Sequence, residues 1–395
     1  MDRLIVKNFG PLKDVDIKLN KINLFIGENG SGKSVLGKLV TIFMDIQLCE
    51  EENLLKKFSE YQIDFISEKS IIEFYPDGYV ENEVFIKLRN KKIIFSKFHG
   101  KLKDLLDEST AQEKELNKLL EVLKAVPKED IEKAPLSMDE KKSIFYFIKN
   151  GINKDKKREE LKPQYIPAER NLISLFNKSL TTLLVAEVPL PKFLLAFSSE
   201  FEKAGNDLKE LEFLNVKYVN GDGLDRHKVY FNDEDYLSLE HSSSGVQSSL
   251  PLYLTVTYLT QKHRNIIIEE PEQNLFPKAQ KETIEYIIEQ VSNSNNLFMM
   301  THSPYVLSTL NTLMMAYRAG ILNDNAKEEV LELFNENQWI NPSDFSAYYL
   351  ENGIARDIKG RTGLISDNEI DEISDEMAYG FEELLSIYRE HKNDK

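Results

Sequence analysis

Gly27-Glu28-Asn29-Gly30-Ser31-Gly32-Lys33-Ser34 satisfies the phosphate-loop pattern in full. Glycines at this spacing let the backbone curl with its N–H groups inward at the start of a helix, where they bind phosphate oxygens. Lys33 is placed to reach the β- and γ-phosphates of a nucleotide, and Ser34 to ligate Mg²⁺. Ile266-Ile267-Ile268-Glu269-Glu270-Pro271 supplies the other half of the chemistry. Its apolar run reads as a buried parallel strand whose two carboxylates emerge at the C-terminal end, where α/β sheets bind ligands. There Glu269 holds the Mg²⁺ shell through water, and Glu270 orients or deprotonates an attacking water.

Two further segments belong with these. Ser242-Ser243-Ser244-Gly245-Val246-Gln247 puts three hydroxyls and a glycine at a helix start, which makes an anion cradle and, taken alone, no more than an N-cap. His302 closes the apolar run Phe298-Met299-Met300-Thr301; from a strand end it can donate a hydrogen bond to a γ-phosphate.

The elements that must carry these residues are legible as an α/β alternation. Leu4–Val6 and Ile22–Ile26 read as strands joined by a turn at Asn8–Pro11 and a polar stretch, Lys13 to Asn20. A helix starts near Lys33, with Val35, Leu36, Leu39, Val40, Phe43 and Met44 at helical spacing. From about residue 46 to 162 the character changes. Ile71 to Phe98 reads as a small antiparallel piece, and Leu105 to Val126 as a charged helix with an apolar stripe, stopped by Pro127. The alternation then resumes with a strand at Tyr165–Pro167 and a helix from Pro191 to Leu214, followed by two strands around Asn220–Gly223 and a helix after Ser244. Next come a strand at Asn265–Ile268, a helix at Lys278–Val291 and a strand at Leu297–Met300. A hairpin forms around Glu351-Asn352-Gly353, and Ile370, Ile373, Met377, Phe381, Leu384 and Tyr388 share one face of a last helix.

In this order the segments resemble the ABC-type ATPases, within them the RecF/SMC/OLD-like branch. The likeness is carried by Ile5-Val6-Lys7-Asn8-Phe9-Gly10-Pro11, the Gly27–Ser34 loop, Tyr165-Ile166-Pro167-Ala168-Glu169-Arg170, Ser243-Ser244-Gly245-Val246-Gln247, Glu269-Glu270-Pro271-Glu272 and Thr301-His302-Ser303-Pro304. It implies an α/β P-loop NTPase head of ABC-ATPase type, built from residues 1–45 and 163–395. The head would have a mixed sheet flanked by helices and an N-terminal antiparallel piece, with 46–162 an inserted α+β subdomain. It implies Mg·ATP bound between two copies paired head-to-tail, with Ser244 and Gly245 of one copy capping the γ-phosphate held by the other. Ser243 and Val246 depart from the Leu-Ser-Gly-Gly-Gln string of transporter heads, so only Ser244, Gly245 and Gln247 carry over. Glu272 would sit in the cross-dimer loop, and Asn8 and Phe9 near adenine. Arg170 falls where the family places its lid loop; a phosphate contact and an ion pair with an acid are both open to it.

Composition bounds the partners. The chain has 395 residues, 41% apolar and 29% charged, with a net charge of −16. A field of that sign repels nucleic acid except through a local patch. Lys87, Arg89, Lys91, Lys92, Lys97, Lys101 and Lys103, with Lys154–Arg158, offer such patches for DNA, although runs of this kind are more often solvated loops. A single cysteine, Cys49, fits a reducing compartment. No apolar stretch can span a bilayer, so the expected location is the cytoplasm. The acids Asp367, Glu369, Asp371, Asp375 and Glu376 after His302 form no strand-borne Asp-x-Asp. Any cutting of nucleic acid therefore belongs to a separate effector, as with the ATPase subunits of anti-phage systems such as Septu, which this chain resembles. A RecF-like repair ATPase and a nucleotide-held scaffold with little turnover are the alternatives.

Overall fold

In Leu12–Leu19, Val15, Ile17 and Leu19 are buried while the residues between them face water. That period-2 pattern makes a strand of a segment whose charge suggests a connector, because alternation needs only one buried face. The structure, a computed structural model, describes residues 2–45, 51–75, 86–95, 162–176, 189–221, 226–262, 264–291, 295–366 and 369–392. The helix expected over 105–126, and the basic residues at 97–103 and 154–158, lie outside them.

In chain order the elements are β1 (Asp2–Phe9), β2 (Leu12–Leu19), β3 (Ile22–Gly27), α1 (Lys33–Met44), α2 (Glu51–Glu60), β4 (Ile71–Tyr75), β5 (Ile86–Arg89), β6 (Lys92–Phe95) and β7 (Gln164–Ile166). There follow α3 (Asn171–Phe176), α4 (Lys192–Asp207), β8 (Glu210–Phe213), β9 (Val216–Asn220), β10 (His227–Tyr230), β11 (Tyr236–Ser238) and α5 (Ser244–Gln261). The last group is β12 (Ile266–Glu269), α6 (Pro277–Gln290), β13 (Leu297–Thr301), α7 (Pro304–Gly320), α8 (Asp324–Leu331), β14 (Phe345–Glu351), β15 (Ile354–Asp357) and α9 (Glu369–His391).

The described strands make a large mixed sheet, in the order β6-β5-β4-β1-β2-β15-β14-β3-β13-β12-β7, and a smaller antiparallel one, β11-β10-β9-β8. One half of the large sheet is parallel: β3 lies between β13 and β14, with β12 and β7 beyond. Helices flank it. The other half is an antiparallel wing in which β4 continues from β1. The hairpin β14–β15 joins the two, since β15 pairs with β2 and the Gly353 carbonyl accepts from Lys13 N and Asp14 N at 2.7 and 3.1 Å.

β3, β12 and β13 are buried along their whole length, which is why they read as unbroken apolar runs. α1 packs against β12 and β13 with Gly37 turned to Met300; a Cβ there would lie 2.5 Å from the Met300 methyl. The helix expected to reach Leu214 stops at Asp207. Leu214 and Asn215 both have positive φ and form the two-residue turn of the hairpin β8–β9, a twist that suits paired strands and cannot continue a helix. In α9, Phe381, Leu384 and Tyr388 are exposed. Among the described residues no helix is long and apolar enough to cross a membrane.

Candidate nucleotide and catalytic site

The loop from β3 to α1 bends at three glycines of positive φ: Gly27 (152°), Gly30 (80°) and Gly32 (104°). At Gly27 there is also no room for a side chain, since a Cβ would lie 2.2 Å from the Leu350 carbonyl on the neighbouring strand. Glu28, Asn29, Gly30 and Ser34 are exposed around the mouth of this loop. Ser31 donates its backbone N–H to Glu28 O at 3.2 Å, while its buried hydroxyl has no hydrogen-bond partner. The Lys33 ammonium is buried and donates to Gly27 O at 2.6 Å and Glu28 O at 2.7 Å. Burial holds its pKa below the usual lysine value, against the pull of Glu270, Glu272, Glu269 and Glu28. A cation held by two backbone carbonyls, with carboxylates near enough to favour its charge, is one that phosphate oxygens can engage.

The carboxylates come from the end of β12. Glu269 is buried; its Oε2 accepts from Ala168 N at 3.3 Å, and its Oε1 has no hydrogen bond. Tyr165 is wholly buried, and its phenol is held well above its usual pKa, first by burial and then by Glu269. An unpaired carboxylate oxygen and the exposed Ser34 hydroxyl are hard oxygen donors of the kind Mg²⁺ takes beside phosphate and water. Among the described residues no group of three or more His, Cys, Asp or Glu could hold a metal without such help.

Glu270 follows in a left-handed turn, φ 43°, with its N–H on Met300 O at 2.8 Å. Such a backbone is uncommon for glutamate and persists where its surroundings enforce it. Its carboxylate is partly exposed and lies 3.7 Å from His302 Nδ1. His302 is half exposed and is set by Glu272, whose Oε1 accepts from Thr301 Oγ1 at 2.6 Å and His302 N at 3.2 Å. Glu272, expected in a loop facing a partner, is thus buried and turned inward. Its role had no signal in spacing, because it depends on β13 lying beside β12.

The serine cluster divides. Ser242 is buried, with its hydroxyl on Ser238 O at 3.1 Å. Ser243 caps α5 by accepting from Val246 N at 3.4 Å. Ser243 and Ser244 are exposed, and Gly245 backs onto the Asn274 carbonyl. Gln247 turns its amide inward, donating to Glu240 O and Ser242 O at 2.9 Å, so it shapes the turn instead of facing solvent.

Two expected contacts are placed elsewhere. Phe9 is fully buried against Phe58 and Phe65, which leaves no ring face for adenine, and Asn8 donates to Lys69 O. Arg170 is fully buried and donates only to backbone carbonyls, of Ser248, Pro167, Glu269 and Glu270. Burial pushes its pKa down to about 10, with Glu272 and Glu270 the strongest opposing charges. The geometry therefore assembles Lys33, Ser34, Glu269, Glu270 and His302 at one end of β3, β12 and β13, and puts Arg170 behind them.

No curated protein sequence matches the chain. Solved structures similar to it include the Smc head bound to the C-winged helix domain of ScpA (12% identity, 90% of this chain and 96% of that chain, TM-score 0.39). Another is the SMC head domain from Thermotoga maritima (11%, 90% and 97%, TM-score 0.37). A third is an ATP-binding cassette of an ABC transporter in its ADP conformation (13%, 95% and 98%, TM-score 0.36). A family profile described as AAA ATPase domain matches residues 1–307, a span that holds the phosphate loop, both strand-end glutamates and His302. By that match the chain belongs to the AAA ATPase domain family and is an ATPase.

Proposed function

We propose that this chain is an ATPase of the ABC type that closes on Mg·ATP as a head-to-tail pair, and that its nucleotide state gates a separate effector. The observation that carries the catalytic part is the Glu270 carboxylate beside His302, at the end of a strand whose neighbours lead into the phosphate loop. In this reading the loop N–H groups and Lys33 hold the β- and γ-phosphates, with Glu28, Asn29, Gly30, Ser31 and Gly32 shaping the cradle. Ser34 and, through water, Glu269 hold Mg²⁺, which when bound neutralises charge on the phosphate oxygens. Glu270 takes the proton of the attacking water, and His302 donates to the γ-phosphate. Ser244 and Gly245 reach the partner's nucleotide from the start of α5, where backbone donors and the helix dipole favour an anion. Gln247 supports that turn from within. ATP is then reversible glue: the site is complete only in the closed pair.

Residues 46–162 would serve as the accessory part. Within it, Arg89, Lys91 and Lys92 are exposed at the tip of the hairpin β5–β6, whereas Lys87 is paired with Glu73. That tip offers exposed cations to a DNA backbone, and such binding should weaken steeply with salt. A nuclease as the effector rests on the sequence resemblance.

Steady-state hydrolysis by wild type and Glu270→Gln tests the proposal. Removal of a general base should lower kcat about 100-fold or more, and the variant should accumulate as an ATP-bound dimer on sedimentation. Equal turnover by the two proteins would remove Glu270 from its role.

A further inference from the structure

Arg170 has four hydrogen bonds and no acid to pair with among them. Its Nε donates to Ser248 O at 3.0 Å. One terminal nitrogen donates to Pro167 O at 3.2 Å and Glu269 O at 2.7 Å, and the other to Glu270 O at 2.6 Å. The side chain is fully buried, so none of this is surface decoration. The four acceptors come from three places: the turn that carries Arg170, the start of α5, and the end of β12. Ser248 lies one helical turn beyond Ser244, and its hydroxyl sits 3.0 Å from both Ser244 O and Gln273 O. A planar guanidinium can hold several carbonyls at fixed mutual angles, which an ammonium cannot. Glu270 needs such a hold because its left-handed backbone is not self-stabilising.

α5 is also a helix with a fault at this point. Pro251 lacks the N–H that would bond the carbonyl of Gln247. The Ser174 hydroxyl satisfies that carbonyl instead, at 2.9 Å. The first turns of α5 are thus tied to the segment carrying Arg170 and Ser174 where their bond to the rest of the helix is missing.

We propose that Arg170 is a positioning residue that makes the start of α5 and the Glu270 turn move as one piece. This rests on the reading of Glu270 as the base and of Ser244 and Gly245 as the partner-facing cap. A copy whose α5 has closed on its partner's nucleotide then sets its own Glu270 over its own nucleotide. One buried guanidinium links the two ATP sites of a pair.

The test is Arg170→Lys, which keeps the charge and loses the fork. ATP affinity, ATP-dependent dimerisation, kcat and melting temperature are measured beside wild type and Glu270→Gln. We expect ATP affinity within about twofold and a dimer still formed, with kcat lower by about tenfold or more. The double variant Arg170→Lys/Glu270→Gln should be no slower than Glu270→Gln alone, because both changes act through the same carboxylate. Wild-type kcat in Arg170→Lys overturns the proposal. So does a fall of ATP affinity in step with kcat, which marks a phosphate contact. Loss of folding, or of the dimer together with turnover, also overturns it and leaves Arg170 as a residue of fold alone. If Glu270→Gln itself turns over normally, the underlying reading fails; if only Arg170→Lys does, this inference fails alone.

Discussion

Lys33 and Glu270 show how differently one end of a sheet treats its charges. The Lys33 ammonium is buried, and its pKa lies below that of the unfolded chain. Between the two values the unfolded chain binds more protons, so stability rises with pH there, and at neutral pH the charged amine bears its burial cost in full. Lys33→Met should therefore melt no lower than wild type without nucleotide, as replacing a buried ion by an apolar side chain often does. Mg·ATP should raise the melting temperature of wild type, and the same variant should lose that rise. A thermal scan with and without nucleotide reads both. A large drop without nucleotide would mean that the bonds to Gly27 O and Glu28 O outweigh desolvation. Glu270 is only partly buried, and its constraint lies in its backbone.

At the scale of elements, the site depends on strand neighbours that are distant in sequence. Glu272 can hold Thr301 and His302 only because β12 and β13 pair in register, Glu269 against Met300. The antiparallel wing is joined to this block through the β14–β15 turn. Asn352 and Gly353 both have positive φ there, and a Cβ on Gly353 would lie 2.3 Å from Pro11 O. Gly353→Ala should cost about 1–3 kcal/mol in strain, plus the displacement of Pro11, and lower the melting temperature. Hydrolysis per folded molecule should survive, since the phosphate loop enters from β3. Intact stability would show that the seam gives way easily. The Asn-Gly pair announced this turn; the Leu214-Asn215 turn carried no such signal and was hidden inside an apparent helix.

For the whole molecule, the proposed pair is symmetric, and each site takes its phosphate loop from one copy and its serine-tipped helix from the other. Ser244→Arg should bind ATP as a monomer, fail to dimerise and hydrolyse slowly. Mixed with Lys33→Met, also inactive, it should regain a measurable but reduced turnover: the mixed pair holds one site with an intact loop and an intact cap, while the copy lending that loop has no closed α5 of its own to set its Glu270. Hydrolysis assays of each variant alone and of the mixture decide this. No recovery on mixing would mean that each copy hydrolyses ATP with its own residues. Specific activity of wild type should also rise with protein concentration.

The local chemistry was already written in residue order. Gly27 to Ser34 needs only its own backbone to make a phosphate cradle, and the apolar runs before Glu269 and His302 need only burial to become parallel strands. Those features act over a few residues, so spacing reveals them, as it does the α/β class. What Arg170, Glu272 and Phe9 do was decided in three dimensions. Each is defined by carbonyls, hydroxyls or rings brought from far along the chain, Ser248, Thr301 and Phe65 among them. A buried polar group must find its partners wherever the fold delivers them: pairing β12 with β13 and bringing α5 to the end of β12 did so for Glu272 and Arg170, as packing α2 and the segment after it on β1 did for the ring of Phe9.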